Sequence, residues 1–132
     1  MRQKLKLALF AGLMLGPAVG PSLGANFDPR GVWQTTSGES RYRFDYCGGG
    51  SELCATLVWL NAEAMKSPMA KQLGTYAFEG GQKRGGNAWR GTLHYNGRST
   101  QATVTLSTAK SLDIAGCYFI FCRKYDLVKI DE

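Results

Sequence analysis

Apolar and polar residues alternate along much of this chain with a period of two. The clearest segment places Tyr42, Phe44 and Tyr46 on one side, while Arg41 and Asp45 lie on the other. Successive side chains of a β-strand point to opposite faces of a sheet, so this alternation is typical of a half-buried strand. The segment is therefore predicted to be a strand whose aromatic side faces a core.

The alternation and the turn residues between its stretches predict eight strands. They lie at 31–36, 41–46, 53–60, 73–79, 89–95, 102–106, 112–118 and 122–130. Asn96-Gly97 is the strongest hairpin signal, because a type I′ turn requires positive φ at both central residues. Residues 61–72 break the pattern and are predicted to hold a short helix before Pro68. Eight short strands with short connections predict an all-β antiparallel meander that closes into a barrel, with a sandwich as the alternative.

The first 25 residues have the layout of a secretory signal peptide. Arg2, Lys4 and Lys6 precede an uncharged apolar run at 7–19, and small residues follow at 22–25. This run is too short for a membrane span, although an uncleaved anchor is the alternative interpretation. The prediction is a signal peptide at 1–25 and a single β-barrel domain at 26–132, in a periplasmic or secreted protein.

The charge of the remaining domain is modest. Without Arg2, Lys4 and Lys6, the 16 cations of the chain fall to 13 against 10 acids, a net charge of +3. This is too small an excess to argue for nucleic acid as a partner. No later segment reaches 18 consecutive apolar residues, so no transmembrane anchor is expected.

All four cysteines lie in the predicted domain. An even number of cysteines in a small exported domain indicates disulfides, because that compartment is oxidising. Three pairings are open, of which we favour Cys47 with Cys54 and Cys117 with Cys122, each closing a short loop between neighbouring strands. Zinc is the alternative, but six and four intervening residues differ from the usual two.

Several short motifs together resemble a known family. They are Gly31-Val32-Trp33, Cys47 with Leu53-Cys54 leading into Leu57-Val58-Trp59-Leu60, Trp89-Arg90-Gly91, and Leu112 with Gly116-Cys117 and Phe121-Cys122-Arg123. Their order and approximate spacing over 31–130 resemble an uncharacterised bacterial secreted family, domain-of-unknown-function family two-one-four-seven.

That resemblance implies a lipocalin-like (calycin-type) barrel. In such barrels the tryptophan of an opening Gly-x-Trp strand commonly packs beneath a cation from near the chain end. Trp33 and Lys129 occupy the matching places, and a cation–π contact between them would close one end of the barrel. The resemblance supplies no catalytic residue.

Aromatic residues are the candidates for the barrel interior. The candidates for ligand binding there are Trp33, Tyr42, Phe44, Tyr46, Trp59, Trp89 and Tyr95. These side chains either fill the interior or leave a cavity that suits a small apolar or amphipathic ligand oriented by tyrosine hydroxyls.

No residue pattern in the chain indicates chemistry. His94 is the only histidine, and no motif supplies it with a nucleophile and an orienting acid. We therefore expect no enzyme, no cofactor and no metal, and an exported binding protein for a small hydrophobic ligand. The alternative is an envelope protein-interaction factor with a filled barrel, whose protein partner the sequence does not identify.

Overall fold

The computed structural model describes residues 26–130, so the predicted signal peptide lies outside the described residues. Eight antiparallel strands form a closed barrel in which each strand pairs with its neighbours in sequence order. The strands are β1 Gly31–Thr35, β2 Ser40–Cys47, β3 Glu52–Leu60, β4 Tyr76–Lys83, β5 Ala88–Tyr95, β6 Arg98–Thr108, β7 Ser111–Tyr118 and β8 Phe121–Ile130. The predicted all-β barrel is confirmed.

In the part of the chain that the structure describes, the helical content is limited to short turns. Three 3₁₀ segments occur there, at Gly48–Gly50, Ala64–Lys66 and Pro68–Gln72. The second and third lie in the long β3–β4 connection and take the place of the predicted short helix. Within residues 26–130, no helix has the length and apolar character needed to cross a bilayer.

Pairing of the first and last strands closes the barrel. Trp33 on β1 lies opposite Tyr42 on β2 and opposite Lys129 on β8. The indole is fully buried, and its Nε1 donates a hydrogen bond to the carbonyl oxygen of Pro29, 2.9 Å away. Burying this polar nitrogen costs little because it has a partner. Trp33 therefore connects the segment that precedes β1, through Pro29, to the two strands that flank β1.

Lys129 covers the Trp33 side of the barrel. Its Nζ lies 5.8 Å from the centroid of the Trp33 ring, within the range of a cation–π contact. Gly31 permits this approach, because a Cβ at that position would lie 2.8 Å from Cε of Lys129. Gly31 also has φ of +131°, which side-chain-bearing residues rarely adopt. The close approach of Lys129 thus explains why the Gly-x-Trp motif begins with glycine in this structure. We call this end of the barrel the closed end.

The interior of the closed half is filled by apolar side chains. Phe44 meets Trp33 edge to face, with ring centroids 6.3 Å apart. The buried cluster consists of Trp33, Phe44, Leu53, Ala55, Phe78, Trp89, Ala102, Val104, Leu106, Leu112, Ile114 and Leu127. A smaller cluster of Leu57, Leu60 and Ala64 packs under the β3–β4 connection.

A β-bulge moves Trp59 to the outer face. Arg41 pairs with Trp59 and Tyr42 with Leu57, so Val58 is the extra residue in β3. An extra residue reverses the inward and outward alternation beyond it. Trp59 is accordingly 37 % exposed and stacks against the guanidinium of Arg41, with Cζ 4.2 Å from the ring centroid. The expectation that Trp59 faces the interior is wrong for this reason.

A second irregularity extends β4 beyond its predicted end. The strand β4 continues to Lys83, four residues beyond its predicted end at residue 79. The register between β4 and β5 shifts between Glu79 and Gln82. Gly91 faces this shift, and a Cβ there would lie 2.6 Å from the carbonyl oxygen of Glu79. The close approach of β4 and β5 at this point therefore requires a glycine.

Both cysteine pairs lie at disulfide distance. Cys47 and Cys54 flank the β2–β3 turn with Cα atoms 6.0 Å apart, and Cys117 and Cys122 lie directly opposite each other with Cα atoms 4.0 Å apart. The favoured pairing agrees with these positions. Each bond ties together the two strands of one hairpin.

Replacing Trp33 tests the closed end. We expect Trp33→Ala to lower the free energy of unfolding by about 3–5 kcal/mol, because it removes a fully buried indole and leaves a cavity. Trp59→Ala is the matched control, because it removes the same side chain from the outer face, and should cost about 1 kcal/mol. Urea denaturation followed by circular dichroism measures both. Equal losses would contradict the assignment of Trp33 as the closing residue.

Candidate functional site

A cavity opens at the end of the barrel opposite Trp33. We call it the mouth cavity; its volume is about 380 Å³. Its floor is apolar, and the lining residues Phe78, Ile114 and Leu127 also belong to the buried cluster. The cavity is lined by Thr35, Thr36, Ser37, Glu39, Ser40, Tyr42, Ala55, Met69, Ala77, Phe78, Leu93, His94, Tyr95, Ile114, Lys124, Tyr125, Asp126 and Leu127. The barrel is thus filled at one end and hollow at the other.

Tyr42 places a phenol on the wall of the mouth cavity. Its hydroxyl accepts a hydrogen bond from Oγ of the buried Ser40 at 3.1 Å. Burial raises the pKa of the Tyr42 phenol, although the Ser40 hydrogen bond opposes the shift. The hydroxyl therefore stays neutral at physiological pH and can donate or accept a hydrogen bond.

Tyr95 and Tyr125 form a second phenolic element. Their ring centroids lie 6.3 Å apart, and both side chains line the cavity. Burial, followed by the neighbouring Tyr95 phenol, raises the pKa of Tyr125. Together with Tyr42, these side chains place three phenolic hydroxyl groups around an apolar floor.

A second depression of about 410 Å³ lies beside the mouth cavity. We call it the side pocket; it shares Leu93, Tyr95 and Tyr125 with the mouth cavity. Its other lining residues are Arg98, Thr100, Gly116, Tyr118, Phe121 and Arg123. The Tyr95–Tyr125 pair therefore borders both spaces, and the side pocket adds two guanidinium groups to the open end.

The structure divides the predicted interior aromatics into four groups. Tyr42 and Tyr95 line the mouth cavity. Trp33, Phe44 and Trp89 are buried in the closed half and do not line that cavity. Tyr46 shares the face of Phe44 but is 38 % exposed, and Arg30 lies over its ring at 5.7 Å. Trp59 is the outer-face residue described above.

Sequence reasoning missed several cavity residues. Tyr125 and Leu127 share a strand face with Lys129, so alternation along β8 was the signal that could have identified them. Leu93 likewise falls between Trp89 and Tyr95 on one face of β5. Met69 had no such signal, because it reaches the cavity from an irregular connection.

His94 links three adjacent strands through hydrogen bonds. Its Nε2 lies 2.6 Å from Oε2 of Glu79 on β4, and its Nδ1 lies 2.7 Å from Oγ of Ser99 on β6. No motif in the sequence indicates these two hydrogen bonds, because the three residues are brought together only by strand register. His94 also borders the mouth cavity, but both ring nitrogens are engaged by Glu79 and Ser99.

The described residues offer no metal site. Between residues 26 and 130, no three His, Cys, Asp or Glu side chains form a group that could hold a metal ion.

No protein-family model, curated protein or solved structure matches this chain. The resemblance to the secreted family therefore stays a prediction.

The raised phenol pKa values predict a loss of stability at alkaline pH. A group whose pKa is higher in the folded than in the unfolded state contributes stability that is present below the unfolded value, 10.0 for tyrosine, and is lost as the pH rises through the folded value. We expect Tyr42→Phe and Tyr125→Phe each to remove part of the late tyrosinate absorbance and to reduce the alkaline loss. Titration of the folded and urea-unfolded protein provides the comparison. A late phase that both variants retain would contradict the assignment.

Proposed function

We propose that this protein binds a small hydrophobic or amphipathic molecule in the mouth cavity. The single observation that carries the proposal is the uneven filling of the barrel. Its closed half is packed with aromatic and aliphatic side chains, whereas about 380 Å³ remain accessible above Phe78, Ile114 and Leu127. That volume lies within the range of small-molecule sites.

The lining favours a ligand with an apolar body and a polar end. Its apolar part would contact Phe78, Leu93 and Ile114, which supply the main driving force by removing apolar surface from water. Its polar end would meet the Tyr42 and Tyr125 hydroxyls near the opening. Neutral hydroxyls orient a ligand without the cost of desolvating a charge.

Charges at the opening are mixed. Glu39 and Asp126 border the mouth cavity together with Lys124, and Lys124 Nζ lies 4.0 Å from Oδ1 of Asp126. This arrangement gives the mouth cavity no single strong sign of charge. A polar end that is uncharged, such as a hydroxyl or an ester, therefore suits the Tyr42 side of the opening best.

The proposed activity is binding without a chemical step. The cavity floor is hydrocarbon, and burial raises the pKa of the Tyr42 and Tyr125 phenols, so both remain neutral at physiological pH. His94 is held by Glu79 and Ser99, which gives it a bracing role among β4, β5 and β6. Binding should therefore survive removal of the imidazole.

We further propose that the protein acts outside the cytoplasm. This location is supported by the two hairpin disulfides, Cys47–Cys54 and Cys117–Cys122, because such bonds persist in oxidising compartments. The signal-peptide pattern at 1–25 agrees with that location. A binding protein in the periplasm or medium would meet lipids and other apolar molecules that need a carrier.

Filling the mouth cavity should weaken binding. We expect Leu93→Trp to weaken binding of an uncharged fluorescent fatty-alcohol probe at least about tenfold, because the added ring occupies the space that the ligand needs. Val128→Trp adds the same ring at an exposed position on β8 and serves as the control for bulk. Fluorescence displacement and native mass spectrometry measure the effect.

Two further variants separate orientation from chemistry. Tyr125→Phe should weaken a ligand with a polar end by about two- to tenfold through loss of one hydrogen bond. His94→Ala should leave the affinity unchanged. Absence of any displaceable probe in the wild-type protein, or equal affinity in Leu93→Trp and Val128→Trp, would overturn the proposed function.

A further inference from the structure

The turn between β7 and β8 carries the most exposed apolar side chains of the described chain. Phe119 is 84 % exposed, Ile120 is 87 % exposed and Phe121 is 66 % exposed. Tight turns ordinarily consist of Gly, Asn, Asp, Ser or Pro, as in Asn96-Gly97 between β5 and β6. We call residues 118–121 the apolar tip. Folding does not bury this surface, so it needs another explanation.

The backbone presents these side chains at some conformational cost. Phe119 has φ of 57°, a left-handed conformation that a bulky aromatic residue rarely adopts. Glycine or asparagine would satisfy the same turn without that cost. Local preference therefore does not account for phenylalanine here, and the identity of the exposed side chain must matter for another reason.

A disulfide holds the apolar tip in place. Cys117 and Cys122 flank the tip and lie opposite each other, and Tyr118 and Phe121 form the next pair, at the base of the tip. The cross-link reduces the conformational freedom of the turn, so the exposed side chains need little further ordering when they bind. The tip is thus a pre-organised protrusion at the open end of the barrel.

Cations surround the apolar tip. Arg98 lies over the ring of Tyr118, with Cζ 5.0 Å from its centroid, and Arg123 and Lys124 follow the tip on β8. No acid occurs between residues 114 and 125, and the first one after the tip is Asp126, next to Lys124. Glu39 lies at the mouth cavity rather than among the side-pocket residues beside the tip. The surface around the tip is therefore cationic.

We propose that the apolar tip docks this protein onto the surface of an anionic lipid bilayer. Phe119 and Ile120 enter the interface between headgroups and acyl chains, where aromatic and aliphatic side chains are favoured. Arg98, Arg123 and Lys124 remain at the level of the headgroups and attract their negative charge. This proposal does not depend on the mouth cavity holding a ligand.

The size and shape of the apolar tip favour a bilayer over a protein partner. Phe119, Ile120 and Phe121 offer roughly 400 Å² of exposed apolar surface, about half of what one partner buries in a standard protein interface. A narrow protrusion also finds little complementary area on a flat protein surface, whereas a fluid interface closes around it. Docking would turn the side pocket, which Phe121 lines, towards the lipid.

Vesicle binding tests the proposal. The oxidised protein, isolated from the periplasm of an expression host, is sedimented with vesicles of phosphatidylcholine alone or mixed with phosphatidylglycerol. We expect binding to the anionic vesicles to be at least about tenfold stronger than to the neutral ones. The double variant Phe119→Ser/Ile120→Ser should lose at least about tenfold of that affinity. Val58→Thr, which removes exposed apolar surface from the outer face of β3, should bind like the wild type.

A second variant reports the depth of insertion. Ile120→Trp places a fluorophore at the apolar tip, and its emission, taken as the difference from the wild-type protein, should be quenched by brominated acyl chains. Arg98→Gln/Arg123→Gln should remove the preference for anionic vesicles while circular dichroism shows an intact barrel. Ligand displacement from the mouth cavity is measured on the same preparations, so that failure of either proposal can be recognised separately.

Three results would overturn the proposal. The first is a wild-type protein that does not sediment with anionic vesicles, and the second is a Phe119→Ser/Ile120→Ser variant that sediments as well as Val58→Thr. The third is a wild-type dimer in analytical ultracentrifugation that the double variant abolishes, which would show that a second copy of the chain covers the apolar tip.

Discussion

The pairing of β1 with β8 over a buried Trp33 is the constraint on which this structure depends. An open sheet of eight strands would leave two edges unpaired, whereas closure satisfies both. Trp33 fills the narrow end that closure creates, and the carbonyl of Pro29 satisfies its indole nitrogen. The approach of Lys129 then demands glycine at position 31.

The division of the barrel into a filled and a hollow half follows from where the large side chains lie. Trp33, Phe44 and Trp89 belong to one buried cluster at the closed end, where dispersion contacts between the large side chains stabilise the packing. Towards the mouth, the interior positions are held by tyrosines whose hydroxyls reach water or Ser40. A tyrosine must keep its polar tip solvated or bonded, so such residues line a space rather than fill it.

Much of this architecture could be predicted from the sequence. The alternation of apolar and polar residues along a strand can be recognised without knowing which strands pair with each other. Tyr42 and Phe44 show this, since both face inward as their alternation indicates. Trp59 could not be placed, because one extra residue in β3 reverses the pattern and nothing at Val58 marks it. Tyr46 lies on the same face of β2 as Phe44, as the alternation predicts, but it lies beyond the packed region and is partly exposed. Alternation does not indicate where along a strand the packed interior of a barrel ends.

The candidate site was less accessible to sequence reasoning than the strands. The volume of a cavity is the difference between the space that the backbone encloses and the volume that the side chains occupy. Both volumes depend on residues that are far apart in the sequence. Met69 reaches the cavity from the irregular β3–β4 connection. The hydrogen bonds of His94 to Glu79 and Ser99 form only because the register of β4, β5 and β6 brings these residues together. Aromatic composition pointed to a lined interior, but strand register decided which aromatics line it.

The sequence-ordered topology has a consequence for how the chain acquires its structure during synthesis. Every strand can pair with its sequence neighbour as soon as that neighbour emerges, but the second partner of β1 is β8, the last strand of the barrel. One edge of β1 therefore stays unsatisfied until all eight strands have appeared, and the Trp33 indole stays accessible with it. Closure is a late event with a long sequence separation, so this edge is where a partly made chain most needs protection from association.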